Sequence, residues 1–230
     1  MVISNIDKII IPTNHIYMDP KVRDRTNDEL LVRKKEFLKI CDILDILKIN
    51  YFLTSGILLG AVRDNDFIKW DWDIEISVFA NEFIPKIDLI SNKLQKSNFK
   101  IEKIIRNKDN SKIDFIGFYP KKVTAFTIYS FKYSKVRDVY WRKELTIPSK
   151  YLKKFSNLNF LGRQFNCPFY INEYLTFVYG NWKIPLRTSN KKVYLTKNYK
   201  KKTLFFTIYI EKFLMKIYGY TIMIKKFIKL

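Results

Sequence analysis

Residues 70–79 read Trp-Asp-Trp-Asp-Ile-Glu-Ile-Ser-Val-Phe, and this stretch carries most of the information about the fold. Its part 73–79 alternates in character and is rich in β-branched residues, which predicts a strand with one face in the core. Because successive side chains of a strand point to opposite faces, Trp72, Ile74 and Ile76 are expected to anchor this strand in the core.

The other face of the same strand is predicted to carry three acids, Asp71, Asp73 and Glu75. Three carboxylates on one face repel one another unless a positive group lies between them. A hard divalent cation, Mg²⁺ or Mn²⁺, binds carboxylate oxygens and leaves positions open for phosphate. The pattern therefore predicts a metal site of the kind that serves phosphoryl transfer, with a solvated acidic strand face as the alternative.

Upstream, residues 51–63 predict a short strand, a turn at Ser55-Gly56 and a brief helix that ends at Arg63. A turn of this kind points backbone N–H groups and a helix N-terminus at one place, and glycine lets an anion approach closely. Ser55, Gly56 and Arg63 are therefore candidate phosphate-binding residues, although many turns that bind nothing look alike.

Periodicity predicts the remaining elements. Thr26-x-x-Glu29 is a capping box, and the apolar residues that follow it recur at helical spacing. Further strands are predicted at 6–11, 99–105, 112–118 and 123–131, and further helices at 82–96 and at 171–179, the last ending at Gly180. Helices that alternate with short strands indicate an α/β (α+β) fold around a mixed sheet.

The charge balance is strongly basic, with 43 basic against 22 acidic residues. Such a field attracts nucleotide diphosphates, nucleic acid, anionic lipid or acidic glycans, but a lysine-rich composition alone names no partner.

Cys41 and Cys167 lie far apart and indicate buried thiols in a reducing compartment. The first apolar stretch is interrupted by Asp7 and Lys8, so no signal peptide is expected, and no uncharged run is long enough to span a membrane. We therefore expect a cytoplasmic protein.

The end of the chain differs in composition from the rest. Residues 191–230 are rich in lysine and in large apolar residues, with Glu211 as their single acid. We predict a domain over residues 1–190 and a basic apolar C-terminal helical tail over 191–230. Segment 203–230 suits peripheral contact with an anionic membrane, at its inner face, better than a membrane span. A helix pair packed on the domain is the alternative.

Two separated motifs resemble the LicD/fukutin family. Residues 53–63 followed by 67–75 are similar to the family's Gly-Gly-Thr-Leu-Leu-Gly-Ala-Val-Arg turn and its Ile-Pro-Trp-Asp-x-Asp-x-Asp motif, with the spacing kept. Residues 173–185 resemble the Tyr-Leu…Tyr-Gly-x-x-Trp-x-x-Pro ending, closest to the fukutin form. The resemblance covers roughly residues 30–190 and leaves out the tail.

The resemblance implies a nucleotidyltransferase-like core, a short mixed sheet with packed helices. It also implies a metal-dependent transfer of a phospho-alcohol, phosphocholine or a polyol phosphate, from a CDP-activated donor to a glycan hydroxyl. This sequence departs from the family pattern in four places: Ser55 replaces the first glycine, Ile57 the threonine, Lys69 the proline and Glu75 the last aspartate. Glu75 keeps the charge on a longer arm, so an altered metal geometry or an inactive member of the family is an open alternative.

The fold of the family calls for a further acid on a strand next to the first acids. Asp114 lies in the apolar stretch Lys-Ile-Asp-Phe-Ile at 112–116, and it is expected to share the metal or to accept the proton of the acceptor hydroxyl. The catalytic and metal-binding set is thus predicted as Asp71, Asp73, Glu75 and Asp114.

Arg142 belongs to a basic and aromatic cluster with Arg137, Trp141 and Lys143 that is suited to a diphosphate, and an ordinary surface helix explains the same residues nearly as well. His15, the only histidine, has no visible partner in the sequence and is assigned no role. Trp182 is expected to pack against the core.

Two other activities remain open. The same carboxylates could transfer a nucleotide from a nucleoside triphosphate, with pyrophosphate as the leaving group. The basic charge alone suggests a non-catalytic nucleic-acid-binding protein, but the sequence contains no recognised nucleic-acid motif, so nucleic acid is not an expected partner.

Overall fold

The computed structural model describes residues 22–107, 111–117, 124–143 and 145–199, together with Phe213, Lys216 and Ile217. The strand predicted at 6–11, His15 and nearly all of segment 203–230 lie outside these residues.

The described residues form six α-helices and nine strands, with two short 3₁₀ turns at Ile84–Lys86 and Ser149–Tyr151. The helices are α1 (Asn27–Ile46), α2 (Ser55–Arg63), α3 (Ala80–Phe83), α4 (Ile87–Lys96), α5 (Ile171–Tyr179) and α6 (Lys191–Tyr194). The strands are β1 (Tyr51–Leu53), β2 (Asp73–Phe79), β3 (Lys100–Ile105), β4 (Lys112–Ile116), β5 (Ala125–Ser134), β6 (Val139–Arg142), β7 (Leu145–Pro148), β8 (Phe155–Phe160) and β9 (Arg163–Pro168).

Helix α1 begins where the sequence predicts it. The Thr26 hydroxyl accepts a hydrogen bond from the Glu29 N–H at 3.2 Å, and the Glu29 carboxylate accepts one from the Thr26 N–H at 2.8 Å. Both halves of the capping box are thus formed, which satisfies two backbone donors that a helix otherwise leaves unpaired. Phe37, Ile40 and Leu44 lie on its buried face, which packs into the core.

The main sheet has seven strands in the order β1-β2-β5-β4-β3, and β6 and β7 extend it from the far end of β5. Strands β2 and β5 pair in parallel, while the other neighbours pair antiparallel. A parallel pair requires a crossover, and the segment with α3, α4, β3 and β4 supplies it. Strands β8 and β9 form a separate two-stranded hairpin. The predicted mixed sheet with packed helices is confirmed.

Register divides the sheet into two faces. Glu75, Thr127 and Asp114 lie opposite one another across β2, β5 and β4, so all three side chains are on one face. The other face is apolar: Phe115 and Phe126 stack there with ring centroids 5.5 Å apart. The sheet therefore carries a row of polar side chains, Glu75, Thr127 and Asp114, on one face and apolar side chains on the other.

Two predictions of local structure are wrong in detail. Trp72 is 63% exposed and does not anchor the strand, because β2 begins only at Asp73. The turn before β2 is closed by a hydrogen bond of 3.1 Å, which the Asp71 N–H donates to the Ile68 carbonyl. The helix predicted at 82–96 is two helices separated by a 3₁₀ turn at Pro85, since proline cannot donate the hydrogen bond that a continuous helix needs.

The remaining predictions of packing concern single residues. Cys41 and Cys167 are free and buried, as expected. Trp182 is also buried, and its indole N–H donates to the Thr176 hydroxyl at 3.2 Å. None of the helices within the described ranges combines the length and the apolar character needed to cross a bilayer.

Candidate active site

The three predicted acids lie at the start of β2. Asp73 and Glu75 are on the strand, and Asp71 ends the turn that precedes it. Trp70, in this turn, contacts two guanidinium groups, that of Arg63 at 5.9 Å and that of Arg187 at 5.8 Å from its ring centroid. Cation–π contacts of this kind stabilise the turn that positions Asp71.

The carboxylates are close enough to affect one another's protonation. Burial, followed by the charges of Asp71 and Glu75, raises the pKa of Asp73 to about 8. Burial likewise raises the pKa of Asp71 to about 6; the charge of Arg33 opposes this rise and that of Glu75 adds to it. The structure therefore brings Asp71, Asp73 and Glu75 together, as the alternation of the sequence predicts.

Arg33 supplies a positive charge behind these acids. Its side chain is 1% exposed, and its Nη2 donates to the backbone carbonyl of Asp71 at 2.8 Å. The guanidinium also lies 5.9 Å from the centroid of the Phe67 ring. A buried cation that binds the main chain of Asp71 orients this residue and offsets part of the repulsion among the carboxylates.

The turn at Ser55-Gly56 packs directly against the acids. A Cβ atom at position 56 would overlap the carboxylate oxygen Oδ2 of Asp71, so only glycine leaves room for this carboxylate. Ser55 has a φ of 53°, in the left-handed region, and its hydroxyl lies 2.9 Å from that of Tyr129. The turn that residues 53–63 resemble has glycine at this position, and glycine takes this backbone conformation without strain.

A network of hydroxyl groups supports the turn from below. The Thr54 hydroxyl lies 2.5 Å from the Ser77 hydroxyl and 3.1 Å from that of Tyr129. All three residues are buried, and the network joins β1, β2 and β5. The turn is therefore fixed to the sheet through side chains on the same face as the acids.

Arg142, at the end of β6, lies over this network. Its guanidinium carbon is 3.9 Å from the centroid of the Tyr129 ring, and the residue is 8% exposed. Its buried Nε has no hydrogen-bond partner among the described residues. A buried cation with a donor still available, next to the Ser55 turn, can bind a phosphate oxygen.

Asp114 is on the expected face but not on the strand next to β2. Strand β5 lies between them, with Thr127 between Glu75 and Asp114 in the row. Two strand spacings separate the Glu75 and Asp114 backbones, about 10 Å. Asp114 accepts a hydrogen bond from the Thr127 hydroxyl at 2.9 Å and forms an ion pair with Lys112. The expected neighbouring strand is wrong because β5 returns parallel to β2 and inserts between β2 and β4.

Arg63 lies where the sequence predicts it, at the end of the helix that follows the Ser55-Gly56 turn. It ends α2, about 12 Å along the helix from Ser55. Its Nε and Nη2 donate to the two oxygens of the Asp64 carboxylate, each at 2.7 Å, and the guanidinium lies 5.9 Å from the centroid of the Trp70 ring. In this structure Arg63 supports the turn before β2.

The donor chemistry of the acids fits a hard divalent cation. No group of three or more His, Cys, Asp or Glu side chains within the described ranges is arranged to hold a metal ion as it stands. The carboxylates of Asp71 and Asp73 are nevertheless half-buried and mutually repelling, and a cation that draws their oxygens together would remove this repulsion. The residues therefore fit Mg²⁺ or Mn²⁺ by chemistry.

Sequence reasoning missed Arg33 and Tyr129. Arg33 lies one turn before Phe37 on the apolar stripe of α1, and a charged residue on a buried stripe is a signal that could have found it. Tyr129 shows no such signal, since a tyrosine in an apolar strand is ordinary. Its role depends on the parallel pairing of β5 with β2.

Comparison with known proteins gives three findings. A family model described as the nucleotidyltransferase domain of LicD/FKTN/FKRP matches residues 48–169. This range contains Asp71, Asp73, Glu75, Asp114 and Arg142.

The chain is also similar to curated proteins. The ribitol-5-phosphate transferase FKTN of Mus musculus is 24% identical over 192 residues, which are 75% of this chain and 38% of the relative. The protein of the same name from Homo sapiens is 25% identical over 186 residues, 72% of this chain and 37% of the relative. The chain thus spans a little over a third of the length of these relatives.

Among solved structures, the antibiotic-resistance factor ANT(2'')-Ia in solution aligns with a TM-score of 0.44 and 12% identity, over 60% of this chain and 66% of that one. A crystal structure of ANT(2'')-Ia in complex with adenylyl-2''-tobramycin aligns with a TM-score of 0.44 and 11% identity, over 63% of this chain and 75% of the other.

Proposed function

The chain belongs to the LicD/FKTN/FKRP nucleotidyltransferase-domain family, whose model covers about half of it, and on this premise we propose that it transfers a phospho-alcohol from a CDP-activated donor to a glycan hydroxyl. The name of the FKTN relatives, ribitol-5-phosphate transferase, favours a polyol phosphate such as ribitol 5-phosphate over phosphocholine as the transferred group. The observation that carries the proposal is the crowding of Asp71, Asp73 and Glu75. The buried Arg142 lies on the ring of Tyr129, and the charge of Glu75 acts on the hydroxyl of this tyrosine.

Each residue has a role in this reaction. Asp71, Asp73 and Glu75 would hold Mg²⁺ or Mn²⁺. When bound, the ion supplies positive charge at the donor diphosphate. The N–H groups at the start of α2, in the Ser55-Gly56 turn, would donate to a phosphate oxygen, and Arg142, next to this turn, would donate to another. Arg33 keeps Asp71 in place from behind.

Asp114 is the fourth acid of the proposal. It shares the face of Glu75, and the Thr127 hydroxyl orients its carboxylate. We propose that the Asp114 carboxylate accepts the proton of the acceptor hydroxyl. The oxygen of this hydroxyl attacks the phosphorus that bears the alcohol, the bond from this phosphorus to the bridging oxygen of the diphosphate breaks, and CMP leaves. Positioning and neutralisation of charge supply most of the rate enhancement.

The test is binding of cytidine nucleotides in the presence of Mg²⁺. We expect CDP and CDP-ribitol to raise the melting temperature of the full chain, and Asp73→Ala to abolish this shift. Glu173→Gln is the control, because Glu173 is an exposed acid whose ion pair with Lys150 lies at the protein surface. Release of CMP from CDP-ribitol with a glycan acceptor supports the transferase. Release of pyrophosphate from a nucleoside triphosphate would instead establish nucleotidyl transfer, and no response to any nucleotide would refute both.

Two further parts of the proposal concern location. We propose that the protein works in the cytoplasm and that segment 203–230 contacts an anionic membrane. Of this segment the structure describes three helical residues, and two of them, Phe213 and Ile217, are exposed apolar side chains four positions apart. An apolar pair on one side of a helix supports contact with a lipid surface.

A further inference from the structure

Strands β4 and β3 form the edge of the sheet beyond the acids. Lys103 of β3 lies opposite Asp114 of β4, and Lys100 lies opposite Ile116. Asp114 and Ile116 are two positions apart and therefore point to the same face of the sheet, which is that of Glu75. The side chains of β3 and β4 that share this face are here called the open face: Lys100, Lys103, Ile105, Lys112, Asp114 and Ile116.

A β-bulge gives β3 this arrangement. The register shifts between Ile101 and Lys103. In a regular strand these two side chains would point to one face, because they are two positions apart. The bulge adds Glu102 between them, so Ile101 packs against the core while Lys103 lies opposite Asp114. The strand pairing itself therefore turns Lys103 to the open face.

The ammonium groups of Lys100 and Lys103 are accessible to a ligand. Both lysines are exposed, and neither forms an ion pair with a described residue. Lys112, by contrast, is paired with Asp114. Glu102 is the single acid of β3, and within the described part of the chain it forms no ion pair with either lysine. The backbones of Lys100 and Lys103 are about 10 Å apart along the strand, so their charges act together on an anion at this edge.

The order of the strands separates the places for the two substrates. The Ser55-Gly56 turn, proposed to bind the donor, follows β1 at one edge of the main sheet, whereas Lys100 and Lys103 are on β3 at the other edge. Asp114 lies between these edges, and one strand spacing, about 5 Å, separates its backbone from that of Lys103. An anionic group bound at Lys103 would thus lie about one sugar ring away from a hydroxyl at Asp114.

We propose that the open face binds the acceptor, and that Lys100 and Lys103 select a glycan with a phosphate or carboxylate group next to the sugar that reacts. This inference rests on the proposed function, because it takes Asp114 to accept the proton of the acceptor hydroxyl. Charge complementarity carries it: an anionic group pairs with the two exposed ammonium groups, whereas a neutral glycan offers them no counter-charge. The two lysines are therefore specificity-determining residues for the acceptor.

The experiment compares the double variant Lys100→Gln/Lys103→Gln with Lys93→Gln/Lys96→Gln in the full chain. Both variants lose two exposed lysines, but Lys93 and Lys96 are on α4, outside the open face. The probes are two pairs of a charged and a neutral sugar: glucose 6-phosphate with glucose, and trigalacturonic acid with maltotriose. Their binding is measured by calorimetric titration.

We expect the wild type to bind each charged probe about tenfold more tightly than its neutral counterpart. The variant in β3 should lose most of this preference, and the variant in α4 should keep it. Replacement of Lys100 and Lys103 by arginine should also keep it, because the positive charges remain. The melting temperatures of all variants are expected to equal that of the wild type, since the four lysines are on the surface.

Titration of the same variants with CDP and Mn²⁺ separates the two proposals, and we expect the affinity for CDP to be unchanged. A wild type that binds CDP but does not prefer the charged sugars overturns the inference and leaves the transferase proposal standing. Equal loss of the preference in the two double variants, or a loss of CDP affinity in the β3 variant, also overturns it. A wild type that prefers charged sugars but binds no cytidine nucleotide would refute the transferase, and with it the acceptor role of this face.

Discussion

Gly56 lies so close to the Asp71 carboxylate that a side-chain atom at position 56 would overlap it. A substitution at this position therefore tests the arrangement of the acids. Gly56→Ala would place a methyl group on the Asp71 carboxylate oxygen. We expect this variant to fold and to bind Mn²⁺ at least about tenfold more weakly, because Asp71 must turn away from Asp73 and Glu75. The measurement is a titration with Mn²⁺ followed by electron paramagnetic resonance.

Gly162→Ala is the matched control for this prediction. Nothing lies within 4 Å of a Cβ at position 162, but its φ of 75° strains any residue with a side chain. This variant should lose about 1 kcal/mol of unfolding free energy and keep its affinity for Mn²⁺. Equal loss of Mn²⁺ affinity in the two variants would show that general destabilisation, and not the contact with Asp71, is responsible.

The protonation of Asp73 predicts a pH dependence of stability without metal. Its pKa is about 8 in the folded protein against an ordinary 3.8, so between these values the folded state holds a proton that the unfolded state releases. The free energy of unfolding must therefore fall as the pH rises from about 4 to 8. Urea titrations at pH 5 and pH 8 should show this fall, by more than about 1 kcal/mol, and Asp73→Asn should reduce it. A wild type and variant with the same dependence on pH would contradict the assignment.

At the scale of elements, α1 contributes to the site through a single buried side chain. Arg33→Met removes the charge-assisted bond to the Asp71 carbonyl and the positive charge near two acids. We expect a loss of about 2–4 kcal/mol at pH 8 and a smaller loss at pH 5, where protons neutralise the acids. The measurement is again urea unfolding at the two pH values.

Arg163→Met is the control for the variant in α1. Arg163 pairs with Asp42 and Asp45 at the protein surface, where an ion pair contributes up to about 1 kcal/mol. We expect this variant to lose little stability at either pH. An Arg33→Met variant that behaves in the same way would show that the buried guanidinium does not offset the charges of the acids.

The elements also show what local sequence can predict. Strand β2 and helix α1 follow from alternation and from a capping box, which are properties of neighbouring residues. The insertion of β5 between β2 and β4 could not be predicted, because parallel pairing joins residues about fifty positions apart. Strands β6 to β9 are four to six residues long and of mixed character, so no local pattern indicates them.

The same distinction holds within the site. Asp71, Asp73 and Glu75 come together because they are close in sequence, and this part of the prediction is supported by their mutual effects on pKa. The position of Asp114 depends on strand order, and that of Arg142 on a strand hairpin. Local patterns therefore located the acids, and only the fold shows which cations face them.

At the scale of the whole molecule, the chain has 43 basic and 22 acidic residues, and the resulting positive charge attracts anionic surfaces. Segment 203–230 carries Lys225, Lys226 and Lys229 near its end. We expect the full chain to sediment with vesicles that contain phosphatidylglycerol and not with pure phosphatidylcholine vesicles. Replacement of the three lysines by glutamate should weaken this binding about a hundredfold, at about 1 kcal/mol for each lysine. Unchanged binding would place the membrane contact elsewhere.

The burial of both cysteines has a practical consequence for such experiments. Burial raises the pKa values of Cys41 and Cys167 to about 12, so almost no thiolate forms at neutral pH. Maleimides react with the thiolate, and the folded wild type should therefore resist them. A single exposed cysteine introduced by Lys192→Cys would then be the one reactive thiol of the folded protein. A fluorophore at this position would label α6 without removal of the native cysteines.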